Sequence, residues 1–366
     1  MDGARPSSRN PGIDLLRGLS ILLVVLHHVG MRVPFKGSAL GAVLPTWFLS
    51  ALAWSGYEAV FIFFVISGFL IATNARERWG ALGAIKLRAF YVRRASRILP
   101  CLLVLVAVLA ALHGAGASDY VISRPGQSLG RAVLSALGLH LNWYEGLTGY
   151  LPGNWDVLWS LSIEEVFYLG FPLLCLTVRR ERTLAVLLAL LALSLPWTHA
   201  ALKGRPIWQE KAYLPGMAAI ATGVLASLVR GDPGAGARRL MTWAGAAGLF
   251  ASIFLQKWLW PVLREGNLLL LTGSAALLVL ALHRRGDAPL PFTGWLRSMG
   301  RLSYEIYLTH MFIVWPIVRL AKARPGPWAF LWHVPAVLAA WGLGWIVARL
   351  LSQPAERALR ARLGEA

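Results

Sequence analysis

Ten runs of apolar residues, each near the length of a membrane-crossing helix, alternate with short polar segments along this chain. They fall at 14–31, 54–73, 98–113, 156–178, 184–201, 213–229, 240–256, 267–283, 302–320 and 333–351. Crossing a bilayer takes ~20 predominantly apolar residues, so the shorter runs must borrow from their flanks. The pattern predicts an all-α, polytopic bundle of about ten transmembrane helices. It is read as one domain, 1–366, because no polar stretch is long enough to form an appended soluble domain.

The polar segments carry an orientation signal. If the N-terminus is cytoplasmic, the segments on that side (1–17, 74–97, 179–183, 230–239, 284–301 and 349–366) hold 24 of the 36 Lys and Arg residues. The bias predicts both termini in the cytoplasm. The longest segment of the opposite side, 114–154, holds Pro125, Gly126, Gly146, Gly149, Pro152 and Gly153, which signal turns. Within it, Gln127 to Trp143 has the periodicity of a short interfacial helix, with Trp143 and Tyr144 as anchors.

Composition narrows the picture. The chain is 57% apolar and only 14% charged, where a soluble domain carries about 25% charged residues. The net charge of +19 does not call for nucleic acid, because the arginines cluster between apolar runs as membrane topology requires. Basic loops also suit anionic lipid or an anionic cytoplasmic ligand. Cys101 and Cys175 lie in or beside apolar runs, so neither a disulfide framework nor a metal site is expected. The first apolar run carries Arg17 and His28 and no small-residue cleavage pattern, so it reads as a retained span.

Ionisable residues inside spans are costly and point to function. Arg17 and His28 are eleven residues apart, near three full turns, and so share a helix face ~16 Å apart along the axis. His27 misses that face. Glu164 and Glu165 lie in the fourth run, where they either pair with an arginine of another helix or orient a histidine. Arg94 and Arg97, beside Arg93, share a helical face and present planar donors suited to phosphate. A basic cluster beside a span is also an ordinary topology signal. Ser67-Gly68 sits inside the second run, where small residues let helices approach. Ser303, Tyr307 and His310 recur along one face of the ninth, as interhelical contacts or as a cavity wall.

Taken together, Gly12 to Gly18 with His28, FFVISGFLI at 63–71, RRASRILP at 93–100, WSLSIEEVFYLGFP at 159–172 and SYEIYLTH at 303–310 resemble the acyltransferase family 3 integral membrane acyltransferases. The five motifs occur in order over nearly the whole chain. The stretch Pro354 to Arg362 is similar to the family's basic end. The resemblance implies transfer of an acyl group, often acetyl, from cytoplasmic acyl-CoA to a hydroxyl of an envelope or exported glycan, or of a small product such as a macrolide. It implies acyl-CoA as a co-substrate, no tightly bound cofactor, and a bacterial inner or plasma membrane. The Arg-ten residues-His pattern falls on Arg17 and His28, the Arg-x-x-Arg pattern on Arg94 and Arg97, and the motif carboxylate on Glu164.

On that footing His28 is the expected general base, Glu164 its orienting carboxylate, and Arg17 a structural or coenzyme-orienting cation. Arg93, Arg94 and Arg97 are expected to hold the coenzyme phosphates. Ser67, Tyr307 and His310 are expected to face substrate, with Ser67, Tyr307 or a backbone amide as oxyanion donor. The competing class is a proton-coupled transporter of a glycan intermediate, which also suits buried His, Arg and Glu. Transporters commonly show repeated halves, and no repeat is visible here. A non-catalytic scaffold leaves His28 and Glu164 unexplained.

Overall fold

The computed structural model describes residues 10–286 and 290–364. Among these the chain is helical, with no strand. The principal helices are α1 (Pro11–Gly30), α2 (Gly56–Trp79), α3 (Leu87–Gly114), α4 (Trp159–Thr177), α5 (Glu181–Leu193), α6 (Tyr213–Leu228), α7 (Gly234–Phe254), α8 (Asn267–Arg285), α9 (Ser303–Thr309), α10 (Met311–Ala323), α11 (His333–Val347) and α12 (Gln353–Arg362).

Among the described residues eight helical runs are long and apolar enough to cross a membrane, or nine if α9 and α10, bent by 54°, form one span. The protein is a multi-pass membrane protein. The expected count of ten is not reached because α7, though 21 residues long, carries Arg238, Arg239 and several glycines that dilute its apolar character. It packs against α8, with Gly248 facing the Ser274 hydroxyl. Arg5 and Arg9, which enter the charge count, lie outside the described residues.

One local expectation is revised. The arginines at 93–97 lie on a helix as their spacing predicts, within α3, which begins at Leu87, ahead of the apolar run. The interfacial segment is two short helices, Leu129–Leu137 and Leu141–Thr148, because Gly138 and the left-handed Leu139 (φ 60°) break it.

The start of α1 is set by Asn10. Its side-chain oxygen accepts from the Gly12 and Ile13 amides at 3.0 Å, and its nitrogen donates to the Leu282 carbonyl at 2.9 Å. That cap, followed by Pro11 at the first helical position, fixes α1 against the end of α8. α2 is buried along most of its length. It crosses α6 where Gly68 meets the Ile220 carbonyl and Gly223 meets the Val65 carbonyl, an approach that any Cβ would block. On α3, by contrast, Leu99, Leu103, Val104 and Val108 are exposed apolar side chains, as a lipid-facing stripe requires.

Candidate active site

The site is built on α1 and α9, which run side by side. Near the start of α1, Arg17 donates to the Ser303 hydroxyl from Nε at 3.2 Å and from Nη2 at 2.9 Å. Near its end, the rings of His28 and His310 lie 4.9 Å apart, inclined by 41°. His310 is fully buried, and its Nδ1 sits 2.8 Å from the Tyr307 carbonyl and 3.1 Å from the Ile306 carbonyl. A nitrogen facing two carbonyls carries the proton, which leaves Nε2 of His310 as an acceptor. That Nε2 and Nδ1 of His28 are both buried without a hydrogen-bond partner among the described residues.

The neighbouring His27 is occupied differently. Its Nδ1 lies 2.9 Å from the Ala53 carbonyl, and its ring fills the space left by Gly56. The two histidines thus separate as their helical angles require, His27 into packing and His28 toward α9. Just beyond α1, Arg32 donates to the His28 carbonyl at 2.8 Å and lies 4.4 Å over the Trp315 ring.

Glu164 is not brought to His28. Its Oε1 accepts from the Tyr168 hydroxyl at 2.7 Å and from the Ser67 hydroxyl, with Arg94 at 3.4 Å. Arg94 donates through Nε at 2.9 Å and Nη2 at 2.6 Å to Glu165 and stacks 3.8 Å over the Tyr168 ring. Arg97 pairs with Glu305 at 2.9 Å and approaches Glu356 at 3.7 Å. Arg94 and Arg97 are therefore both engaged by carboxylates of the protein. Arg93 lies on the same turn of α3, and its carbonyl accepts from Ser96 at 3.1 Å. Tyr307 donates to the Val157 carbonyl at 3.0 Å and stands 2.7 Å from the Ser160 hydroxyl. Ser67 and Tyr307 thus already hold partners in this arrangement.

A second polar cluster, not anticipated from the sequence, lies beside the end of α1. Lys211 and Glu145 are both fully buried and pair at 2.8 Å, and Asp156 pairs with the same ammonium. Asn142 donates to the Lys211 carbonyl at 3.0 Å, and the Leu151 amide donates to Glu145 at 2.9 Å. Tyr150 covers the ammonium with its ring at 4.6 Å and donates to Glu210 at 2.9 Å. Burial, with the Glu210 carboxylate beside it, raises the Tyr150 hydroxyl above its ordinary value, so it stays a donor. The sequence shows only scattered charges, Glu145 and Lys211 in linkers and Asp156 at the start of the fourth run, and only the fold shows that they converge.

A bundle of apolar helices with imidazoles at one end of α1 and arginine–carboxylate pairs toward the other suits acyl transfer within a membrane. Comparison with known proteins agrees. The family model described as "Acyltransferase domain" (Acyl_transf_3) matches residues 10–349, and the chain belongs to this family. It is 29% identical over 176 residues to an O-acetyltransferase-type protein, SACOL0978, of Staphylococcus aureus strain COL, covering 46% of this chain and 25% of that protein. It is 25% identical over 213 residues to the peptidoglycan O-acetyltransferase OatA of Listeria monocytogenes, covering 56% of this chain and 29% of that one. With the O-acetyltransferase OatA of Staphylococcus aureus strain NCTC 8325 it shares 29% identity over 174 residues, 44% of this chain and 24% of the relative. The matched region spans about a quarter of the length of these relatives. No solved structure matches the chain.

Proposed function

We propose that this protein is a membrane-embedded O-acetyltransferase that moves an acetyl group from acetyl-CoA to a hydroxyl of an envelope or exported glycan. The relatives' names support acetyl as the group, and that of the Listeria relative makes peptidoglycan fragments the first acceptors to try. The observation that carries the reading is the His28–His310 pair: two buried imidazoles with ring centroids 4.9 Å apart, each with one nitrogen that has no hydrogen-bond partner among the described residues. A sugar hydroxyl is a weak nucleophile until a base removes its proton.

In the proposed reaction His28 accepts the hydroxyl proton as the oxygen attacks the thioester carbonyl. The C–S bond then breaks, the thiolate leaves, and the proton held on His28 returns to it. The products are the O-acetyl ester and free CoA. With its own proton on Nδ1, His310 offers Nε2 as an acceptor that would hold the His28 tautomer with the proton on Nδ1 and Nε2 as the base. Glu164, with Ser67 and Tyr168, fixes Arg94 and the crossing of α2 with α4. The charge bias supports cytoplasmic termini with the His28 end toward the opposite face, and the family resemblance supports a bacterial plasma membrane.

The test is acetyl transfer from radiolabelled acetyl-CoA to peptidoglycan fragments by the purified protein in nanodiscs. The proposal expects transfer that His28→Ala abolishes while acetyl-CoA binding persists. Wild-type rates in His28→Ala would remove the base assignment.

A further inference from the structure

At the end of the bundle where α1 begins, a cavity of about 430 Å³ is lined by Arg97, Arg301, Leu302, Glu305, Gln353, Glu356 and Arg357. We infer that Arg301 and Arg357 are the principal phosphate-binding cations of the acyl donor site, and that Arg94 and Arg97 are not. The inference rests on the acyl-CoA reading above and deepens it.

The argument is one of charge accounting. Arg94 spends two donors on Glu165. Arg97 is held by Glu305, whose side chain is 1% exposed, and shares Glu356. For either to turn to a phosphate, a buried carboxylate would lose its cation, which is strongly unfavourable. Glu356 is further matched by Arg360 at 2.6 Å, one turn along α12. The two carboxylates of the cavity are thus each paired with a cation of the protein. Arg301 and Arg357 are different. Both are exposed, both face the cavity, and neither guanidinium has a hydrogen bond or ion pair with the described residues.

The two come from separate elements. Arg301 ends the short helix Gly294–Arg301 directly before α9, and Arg357 projects from α12. Their convergence around one cavity, with Gln353 as a neutral donor, is what a multiply charged anion requires. The volume falls at the lower end of the ~300–1,000 Å³ typical of small-molecule sites and suits the phosphorylated end of a coenzyme. An anionic lipid headgroup carries the same chemistry, so the test must separate the two.

The experiment is titration of the full chain with acetyl-CoA in nanodiscs of zwitterionic lipid, followed by tryptophan fluorescence at two salt concentrations. It is run on wild type, Arg301→Gln/Arg357→Gln, and the control Arg238→Gln on α7. Both substituted sites of the double variant are exposed, so folding is not at stake. The expected result is about ten- to hundredfold weaker binding and a shallower salt dependence in the double variant alone. Wild-type binding that the double variant retains in full overturns this inference and leaves the acyl-CoA reading standing. No binding by wild type at millimolar acetyl-CoA overturns both. Unchanged acetyl-CoA binding, with loss of preferential retention of phosphatidylglycerol by the double variant in parallel nanodiscs that contain that lipid, assigns the cavity to lipid and overturns the inference.

Discussion

His28 on α1 and His310, at the break between α9 and α10, lie with their ring centroids 4.9 Å apart. His310 spends its Nδ1 on the carbonyls of Ile306 and Tyr307, so its Nε2 can only accept. A neutral His28 with its proton on Nδ1 keeps Nε2 free to accept, and neither Nδ1 of His28 nor Nε2 of His310 has another partner among the described residues to oppose that tautomer.

His28→Ala should therefore lower the acetyl-transfer rate by about 10²–10⁴-fold, the usual contribution of a general base. His310→Ala should lower kcat by a smaller factor with little change in KM for acetyl-CoA. His310→Gln, which keeps an acceptor, should recover part of the loss. Steady-state kinetics of the three variants checks the relation; equal kcat in His310→Ala and wild type would remove His310 from it.

Arg94→Lys keeps the charge but loses the two-donor fork on Glu165 and the stack on Tyr168. Arg94→Ala leaves the Glu165 charge in a buried setting, at a cost of about 3–5 kcal/mol. The expected order of thermal stability in detergent is wild type, then Arg94→Lys, then Arg94→Ala. Combining Arg94→Ala with Glu165→Gln should restore part of the loss, as a double-variant cycle would read.

Lys211→Met should be strongly destabilising, by about 3–5 kcal/mol, because it strands Glu145 and Asp156. Adding Glu145→Gln to it should return part of that stability. Chemical unfolding followed by tryptophan fluorescence distinguishes the single from the double variant.

At the crossing of α2 with α6, Gly68→Ala and Gly223→Ala each put a methyl group against a backbone carbonyl. The helices cannot close around it without a shift, so each should cost about 1–3 kcal/mol. Gly170→Ala on α4, where a Cβ meets nothing, should be neutral or slightly stabilising. Melting temperatures of the three purified variants check the contrast.

The architecture was legible because apolar length is a strong signal, and helical angle alone was enough to turn His27 and His28 toward different neighbours. Less visible was anything decided by a partner distant in sequence. The sequence allowed Glu164 or Glu165 to pair with an arginine of another helix, as Glu165 does with Arg94, but could not name the pair across 71 residues, nor Arg97 with Glu305 across 208. Glu164 and Glu165 are adjacent letters, yet the fold gives Glu165 the arginine fork and Glu164 the hydroxyls of Ser67 and Tyr168. Lys211 and Glu145 sit in linkers and Asp156 opens the fourth run, and only the fold brings the three together. The break at His310 left no proline at the bend itself; the nearest, Pro316, lies further along α10.

Arg17 and His28 share one unbroken helix, and each is matched to a fixed point on the same neighbour, Ser303 and His310. That makes α1 a ruler. A single inserted residue between the two positions would turn one anchor ~100° away from its partner and lengthen the span by ~1.5 Å. A four-residue insertion would nearly restore the angle but displace the anchors by ~6 Å. Neither register can satisfy both contacts, so within this bundle the interval between the arginine and the histidine tolerates changes of residue type but not changes of count.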